Sequence, residues 1–354
     1  MLCVKTVFFR VSGHAAYKLS DHEPGFVALN FQFSEFFMSN RLNTSLFFFA
    51  AFMACTPYVD AAPFAYVPNE GSGTVTVIDT ETDQIVAEIP AGKKPRGLAA
   101  SNDKRWLYVS DQPNNRLQLI DLHDRKPDGY VDLGDSPEGV SISPDGRWVA
   151  AAVEETNEVA ITDTKTNKLV FSVKVKGRNP EHAVFSPDGK LIFVSAEEGG
   201  AIDVIDFSQK KQITQITVGA RPRGIGFLPD GSRAYVATEN SNEVYVIDVK
   251  TFNVLLHIKA GVRSNGVAVH PDGTRVYISN GGEASVSVID TASNLIVATV
   301  AVGQRPWNMA LTPDGKKLYV ANGRSNSVSV VDTVGNVKLR DIEVGKLPWG
   351  VVIK

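Results

Sequence analysis

The chain has 354 residues, of which 43% are hydrophobic and 21% charged, and its formal net charge at pH 7 is −3. This is an ordinary globular composition, and the small net charge excludes a global electrostatic attraction to nucleic acid or to an anionic membrane. Both cysteines, Cys3 and Cys55, lie near the N-terminus, so the remaining chain has neither a disulfide nor thiol chemistry.

The first predicted element is a signal peptide at residues 38–61. It begins with a methionine and a nearby arginine, continues with an apolar run of nine residues (46–54) and ends in small residues. This run is shorter than the roughly 20 apolar residues that a membrane-spanning helix needs, and the pattern is that of an export signal. We therefore predict that residues 1–37 reflect a start codon assigned too early, and that residues 62–354 are exported, to a periplasm. The alternatives are a membrane anchor or a disordered tail.

From residue 64 onward, one unit recurs along the chain. Its clearest copy is residues 313–333, in which a Pro-Asp-Gly turn, a strand, a polar loop and a second strand follow one another. A period of about 40 to 45 residues with four short strands is typical of a β-propeller blade. The sequence therefore predicts an all-β, seven-bladed propeller with four-stranded blades in a single domain. The aspartate that ends the second strand returns every 42 or 43 residues, at Asp79, Asp121, Asp163, Asp206, Asp248, Asp290 and Asp332.

The two ends of the repeat region are predicted to share one blade. Residues 64–67 match the second strand of a repeat and have no inner strand before them, whereas residues 348–353 match the inner strand that opens every other repeat. A propeller has to close its ring, because an open edge would leave strands unpaired. We therefore expect the C-terminal strand to complete blade 1.

The unit resembles the YVTN-type propeller repeat, a WD40-like repeat of bacterial exported and archaeal surface proteins. The resemblance covers residues 64–353 and rests on Tyr-Val-x-Asn and on Asn-Ser-Val-Ser-Val-Val-Asp, and its closest copies begin at Tyr235, Tyr277 and Tyr319. Blade 3 departs from the pattern, with Trp148 opening that slot. Within this family the chain looks most similar to periplasmic propellers encoded beside pyrroloquinoline-quinone-dependent alcohol oxidation systems. The resemblance implies a fold rather than an activity, because propellers host enzymes, cofactor carriers and binding platforms.

A ligand site should break the sevenfold symmetry, and the repeats differ most where the chain enters each inner strand. These connections are expected to converge at one mouth of the central channel. A basic set precedes the proline position there, namely Lys94, Arg221, Arg263 and Arg305. His182 and Asn308 stand two residues after that position, where the other repeats have glycine. From blade 1 onward, the residue directly after the proline position is Trp349, Arg96, Glu138, Glu181, Arg223, Asn265 and Trp307.

These residues predict a basic arc, an acidic sector and two adjacent tryptophans at the mouth. Indole faces can stack on a flat ligand, and guanidinium groups bind carboxylates, so the set suits a planar anion. Pyrroloquinoline quinone, a planar tricarboxylate to which the resemblance also points, is the candidate cofactor. The alternative is that both tryptophans pack as spacers and the arginines are solvated. The predicted ligand-binding residues are Arg96, Arg223, Arg263, Arg305, Trp307 and Trp349.

A second hypothesis is a metal-assisted hydrolase or lactonase. Glu138, Glu181 and His182 come from neighbouring blades and could ligate a divalent ion, with Asn265 and Asn308 close by. The phosphate-loop, zinc-protease, haem-attachment and nucleophile-elbow motifs are absent from the sequence.

Of the two hypotheses we favour a non-catalytic binding or scaffold propeller, accessory to quinoprotein oxidation. We expect a monomer that binds a periplasmic protein or a small anionic ligand and has no membrane span in its mature form. Glutamates of the polar loops, among them Glu154, Glu197 and Glu239, are interpreted as a solvated rim that keeps the protein soluble. This acidic rim also argues against nucleic-acid binding.

Overall fold

The computed structural model describes residues 63–354. The predicted start site, the signal peptide and both cysteines lie outside the described residues. Within residues 63–354 the strands form seven four-stranded antiparallel sheets, each of which is one blade of a propeller. The predicted fold class and blade number are therefore confirmed. Helical structure in this range consists of one 3-10 turn, Gln112–Asn114, and no helix there is long and apolar enough to cross a membrane.

The strands follow the repeat in strict order. Blade 1 contains β1 (Phe64–Asn69), β2 (Thr74–Asp79) and β3 (Gln84–Pro90), and blade 2 contains β4 (Pro95–Ala100), β5 (Trp106–Asp111), β6 (Arg116–Asp121) and β7 (Lys126–Asp132). Blade 3 contains β8 (Pro137–Ile142), β9 (Trp148–Val153), β10 (Glu158–Asp163) and β11 (Lys168–Lys174), and blade 4 contains β12 (Pro180–Phe185), β13 (Leu191–Ala196), β14 (Ala201–Asp206) and β15 (Lys211–Thr217). Blade 5 contains β16 (Pro222–Phe227), β17 (Arg233–Thr238), β18 (Glu243–Asp248) and β19 (Val254–Lys259). Blade 6 contains β20 (Ser264–Val269), β21 (Arg275–Asn280), β22 (Ser285–Asp290) and β23 (Leu295–Ala301), and blade 7 contains β24 (Pro306–Leu311), β25 (Lys317–Asn322), β26 (Ser327–Asp332) and β27 (Val337–Glu343). The last strand is β28 (Val352–Ile353).

The recurring aspartate fixes the turn between the third and fourth strands of a blade. Asp79 Oδ1 accepts hydrogen bonds from the backbone N–H groups of Glu81 and Thr82, both at 2.9 Å. Asp248 accepts the same pair of bonds from Lys250 and Thr251. An aspartate that bonds backbone groups two and three residues ahead stabilises a tight turn. The strongest periodic signal in the sequence is thus explained by turn chemistry.

The C-terminal strand completes blade 1, as predicted. β28 pairs antiparallel with β1 through Ala65 opposite Ile353 and Tyr66 opposite Val352. Backbone hydrogen bonds of 3.0 Å join Phe64 and Lys354 in both directions. Every blade in the described range therefore has an inner strand, which pairs with the second strand of the blade.

Candidate functional site at the channel mouth

The inner strands pack closely around the channel because most repeats have glycine two residues after the proline position. A Cβ added at Gly224 would lie only 2.7 Å from the carbonyl oxygen of Asn265 in the next blade. His182 and Asn308 replace this glycine in blades 4 and 7, and their side chains occupy the channel instead. Asn308 Nδ2 lies 3.5 Å from His182 Nε2, so two distant blades meet at the axis.

His182 and Trp349 form the floor of the mouth. The imidazole stacks on the indole with ring centroids 5.4 Å apart and an interplanar angle of 20°. Burial lowers the pKa of His182 to about 3, with a smaller contribution from the Arg223 charge, so the ring is neutral near pH 7. Trp349 is 6% exposed and therefore serves mainly as a packed spacer, as the alternative interpretation of the tryptophans expected.

Above this floor lies a cavity of about 980 Å³. Trp307 and Trp349 contribute to its wall, and the charged residues come from six blades. The charged lining consists of the arginines Arg96, Arg178, Arg221, Arg223 and Arg305 and the glutamates Glu70, Glu154, Glu181, Glu197 and Glu198. The cavity therefore has a mixed and highly charged surface. We call its lining residues, together with Glu138 and Glu239, which contact the lining arginines, the mouth.

One ion-pair cluster surrounds Glu138, whose side chain is fully buried. Arg96 contacts Glu138 Oε1 through Nη1 and lies 3.2 Å from Glu70 Oε1 through Nη2. Gln112 Nε2 donates a 2.7 Å hydrogen bond to the same Glu138 oxygen. Burial, reinforced by the nearby Glu181 charge, raises the pKa of Glu138 against the opposing effect of Arg96. Arg96 is therefore already engaged by two carboxylates.

A second cluster surrounds Arg223, which is 9% exposed. Its Nη2 lies 3.0 Å from Glu181 Oε1, and its Nη1 lies 3.1 Å from Glu197 Oε1. Arg305 Nη2 donates a 2.7 Å hydrogen bond to Glu239 Oε1. Burial acts to raise the pKa of Glu239, but the charges of Arg223 and Arg305 outweigh it and the net shift is downward. The predicted basic arc is thus neutralised by glutamates from the neighbouring loops.

Five of the six predicted ligand-binding residues line one cavity: Arg96, Arg223, Arg305, Trp307 and Trp349. The sixth, Arg263, is not among the residues lining the cavity; its side chain is exposed, and its backbone N–H bonds to Asn242 Oδ1 at 2.7 Å. Sequence reasoning had placed it in the basic arc because it holds the same repeat position as Arg221 and Arg305. Equivalent repeat positions therefore differ in the structure: the side chains of Arg221 and Arg305 line the cavity, and that of Arg263 does not.

Glu70 was not predicted at the mouth, and the predicted solvent exposure of Glu197 and Glu239 is wrong. The interpretation of these loop glutamates as a solvated rim needs correction, because Glu239 is 1% exposed and the side chain of Glu197 is 11% exposed. The sequence does contain a pattern that identifies them, because Glu70, Glu197 and Glu239 all occupy the repeat position directly after the second strand. Around the ring that position holds Glu70, Gln112, Glu154, Glu197, Glu239, Gly281 and Gly323.

The two glycines in that series make room for Arg305 and Trp307. A Cβ at Gly281 would lie 3.1 Å from Arg305 Nη1, and a Cβ at Gly323 would lie 3.0 Å from Trp307 Cε3. A glutamate at either position would displace the arginine or the indole. The asymmetry of the mouth therefore depends both on the residue directly after the second strand and on the residues that flank the proline position of the inner strand.

The predicted metal ligands Glu138, Glu181 and His182 do not assemble into a coordination site. Of the groups within residues 63–354, the trio whose ligand atoms all lie within 4.8 Å of one another is Asp121, His123 and Asp124, on a largely exposed turn. The carboxylates of Glu138 and Glu181 face Arg96 and Arg223, whose positive charges oppose cation binding at those oxygens. The donor set at the mouth thus does not fit a divalent metal centre.

Comparisons with known proteins agree on the fold. Residues 50–354 match a family model described as YNCE-like beta-propeller. No curated protein matches the chain. A structure of hydrazine synthase from Kuenenia stuttgartiensis is similar with 24% identity and a TM-score of 0.69, covering 76% of this chain and 92% of the other. A functionally unknown protein from Desulfotomaculum acetoxidans DSM 771 is similar with 18% identity and a TM-score of 0.72, covering 82% and 99%. At these identities the likeness concerns the fold alone.

Proposed function

Because the chain belongs to the YNCE-like β-propeller family and a propeller fold does not by itself specify a reaction, we propose that it is a non-catalytic binding protein whose channel mouth receives a ligand. The observation that carries the proposal is the cavity of about 980 Å³, whose wall includes Trp349, the indole on which His182 stacks. Its volume lies at the upper end of the roughly 300 to 1,000 Å³ range of small-molecule sites.

The side chains at the mouth favour binding over catalysis. A general base needs an accessible atom within hydrogen-bond reach of the reacting group, together with a pKa near the working pH. His182 instead stacks on Trp349, lies against Asn308 and has a strongly lowered pKa. Its Nδ1 has no hydrogen-bond partner among the described residues, so no carboxylate there orients the ring. Glu138 and Glu181 are held by arginines.

Pyrroloquinoline quinone, the cofactor that the resemblance suggested, stays a proposal, and the pairing of the arginines disfavours it. A tricarboxylate would have to compete for these guanidinium groups, because Arg96, Arg223 and Arg305 each already pair with at least one glutamate. The proposed role in quinoprotein oxidation therefore rests on the resemblance of the repeat. The proposed export to a periplasm rests on the pattern of residues 38–61.

The proposal is tested by asking which compounds the mouth retains. The purified mature protein is incubated with a small-molecule extract, desalted and analysed by mass spectrometry beside Ala220→Trp, which places an indole in the cavity wall. Ala292→Trp, at an exposed turn position outside the cavity, is the matched control. We expect at least one compound that the wild type and Ala292→Trp retain and Ala220→Trp loses. A metal-dependent hydrolytic activity abolished by Glu181→Gln would overturn the proposal.

A further inference from the structure

We propose that the ligand group entering the mouth is an organic cation, an ammonium or a guanidinium, and not the anion that the residue types suggest. This inference rests on the proposed binding function and names its ligand class. Three independent features carry it: the charge balance of the mouth, a carboxylate without a cationic partner, and a partly exposed indole in the same wall.

The first feature is an excess of carboxylates. Five arginines and five glutamates line the cavity, and Glu138 and Glu239 lie beneath it in contact with lining arginines, so seven glutamates meet five guanidinium groups. The raised pKa of Glu138 favours its protonated form, and six carboxylates would still exceed five cations. Charges interact more strongly in such a partly desolvated site than in water. A bound polyanion would increase this imbalance, whereas a bound cation reduces it.

The second feature lies on blades 3 and 4. Glu154 lines the cavity and accepts a 2.9 Å hydrogen bond from Ser136 Oγ, but no Lys, Arg or His nitrogen within residues 63–354 lies within 4.0 Å of its carboxylate. Glu181 also lines the cavity and is 3% exposed. Arg223 Nη2 is 3.0 Å from Glu181 Oε1, yet no donor among the described residues is directed well enough to form a hydrogen bond with that oxygen. The cation is therefore assigned to Glu154, which faces no guanidinium, and not to the Glu181 oxygen beside Arg223; an ammonium group supplies three donors.

The third feature is Trp307. Its indole is partly exposed, lines the same cavity and is held over Gly323, where an added Cβ would come within 3.0 Å of the ring. The face of an indole attracts cations through its quadrupole, and aromatic side chains are a common environment for bound ammonium groups. Trp307 and Glu154 both line the cavity and therefore provide groups of two kinds that attract cations.

The test uses calorimetric titration of the mature protein at pH 7 and low salt. Spermidine represents a free polyamine, acetyl-Gly-Arg-Gly-amide represents an arginine side chain of a peptide, and pyrroloquinoline quinone is the probe of opposite charge. We expect at least one cation to bind, with affinity about tenfold lower in Glu154→Gln, because the amide lacks the negative charge that strengthens the hydrogen bond to a cation. Glu155→Gln is the matched control, since Glu155 is exposed and is not among the residues lining the cavity; its affinity should be unchanged.

Each other outcome overturns the inference. Equal weakening of cation binding in Glu154→Gln and Glu155→Gln would indicate general surface attraction. Binding of the quinone without binding of either cation would show that the ligand is an anion. In both cases the proposed binding function can still hold, because compound retention by the wild type and its loss in Ala220→Trp are measured separately. If neither cation binds, the inference fails whatever the retention experiment shows.

Discussion

Phe193 of blade 4 packs against Phe252 of blade 5, with ring centroids 6.4 Å apart, at a position where two other blade junctions have a tyrosine–asparagine hydrogen bond. Tyr108 donates its hydroxyl hydrogen to Asn167 Oδ1 at 2.8 Å between blades 2 and 3. Phe252 adopts φ of 60°, in the left-handed region that asparagine tolerates and a bulky residue rarely adopts. This junction has therefore exchanged a polar contact for an apolar one at both positions together.

A double-mutant cycle should show that the two phenylalanines are coupled. Phe193→Tyr alone adds a buried hydroxyl without a partner, and Phe252→Asn alone removes an aromatic contact, so each should lower the free energy of unfolding by about 1 to 3 kcal/mol. The double variant should recover about 1 kcal/mol relative to the sum, because it can form the bond seen between Tyr108 and Asn167. Urea unfolding of the four proteins measures this. Strict additivity would show that the pair is not coupled.

The junction that closes the ring depends on Asp83. Lys317 Nζ of blade 7 lies 2.9 Å from Asp83 Oδ1, and the Tyr319 hydroxyl donates to the same carboxylate oxygen. Asp83→Ala leaves a largely buried lysine and tyrosine without this acceptor, so we expect a loss of about 2 to 4 kcal/mol in the free energy of unfolding. Asp128→Ala, an exposed aspartate in β7, should change it by less than about 0.5 kcal/mol. Similar losses in both variants would contradict this role.

Removing Arg223 should be costly. Arg223→Ala leaves Glu181 and Glu197 close together without their shared cation, and breaking a buried pair in this way costs about 3 to 5 kcal/mol. Arg178 also lines the mouth, but it is 72% exposed and lies 3.5 Å from Glu198, so Arg178→Ala should cost less than about 1 kcal/mol. Thermal unfolding at pH 7 separates the two variants. A small effect of Arg223→Ala would mean that solvent screens the cluster.

Acid should destabilise the protein in part through His182. Its folded-state pKa is about 3, below the ordinary value of 6.5, so between these values the unfolded chain binds a proton that the folded chain does not. Its contribution to stability is fully present above pH 6.5 and is lost as the pH falls toward 3, by roughly 2 kcal/mol between pH 7 and pH 5.

The comparison variant is His182→Asn, which cannot titrate in this range. Its stability should fall by roughly 2 kcal/mol less than that of the wild type between pH 7 and pH 5, measured by urea unfolding at both values. Parallel pH profiles for the two proteins would show that the pKa of His182 is not lowered in the folded state.

At the mouth, the sequence predicted which residues are present but not their electrostatic environment. Arg96, Arg223 and Arg305 were found because they break the repeat, and five of the six predicted ligand-binding residues do line one cavity. Their electrostatic environment could not be predicted, because the pairing partners come from a different loop series. Arg305 reaches Glu239 across 66 residues of sequence, and Arg96 reaches Glu70 across 26. A charge pattern along the chain does not specify which charges meet in space.

By itself, the sequence determined the all-β class, the seven blades, the turn at each recurring aspartate and the closure of blade 1 by the C-terminal strand. These features follow from local turn chemistry and from chain connectivity, and both depend on the order of the residues along the chain. Only the tertiary structure decided that Arg263 points away, that Glu239 is buried and that His182 stacks on Trp349. Side-chain direction and burial depend on how neighbouring blades pack, and the charge of the mouth is the sum of those contacts.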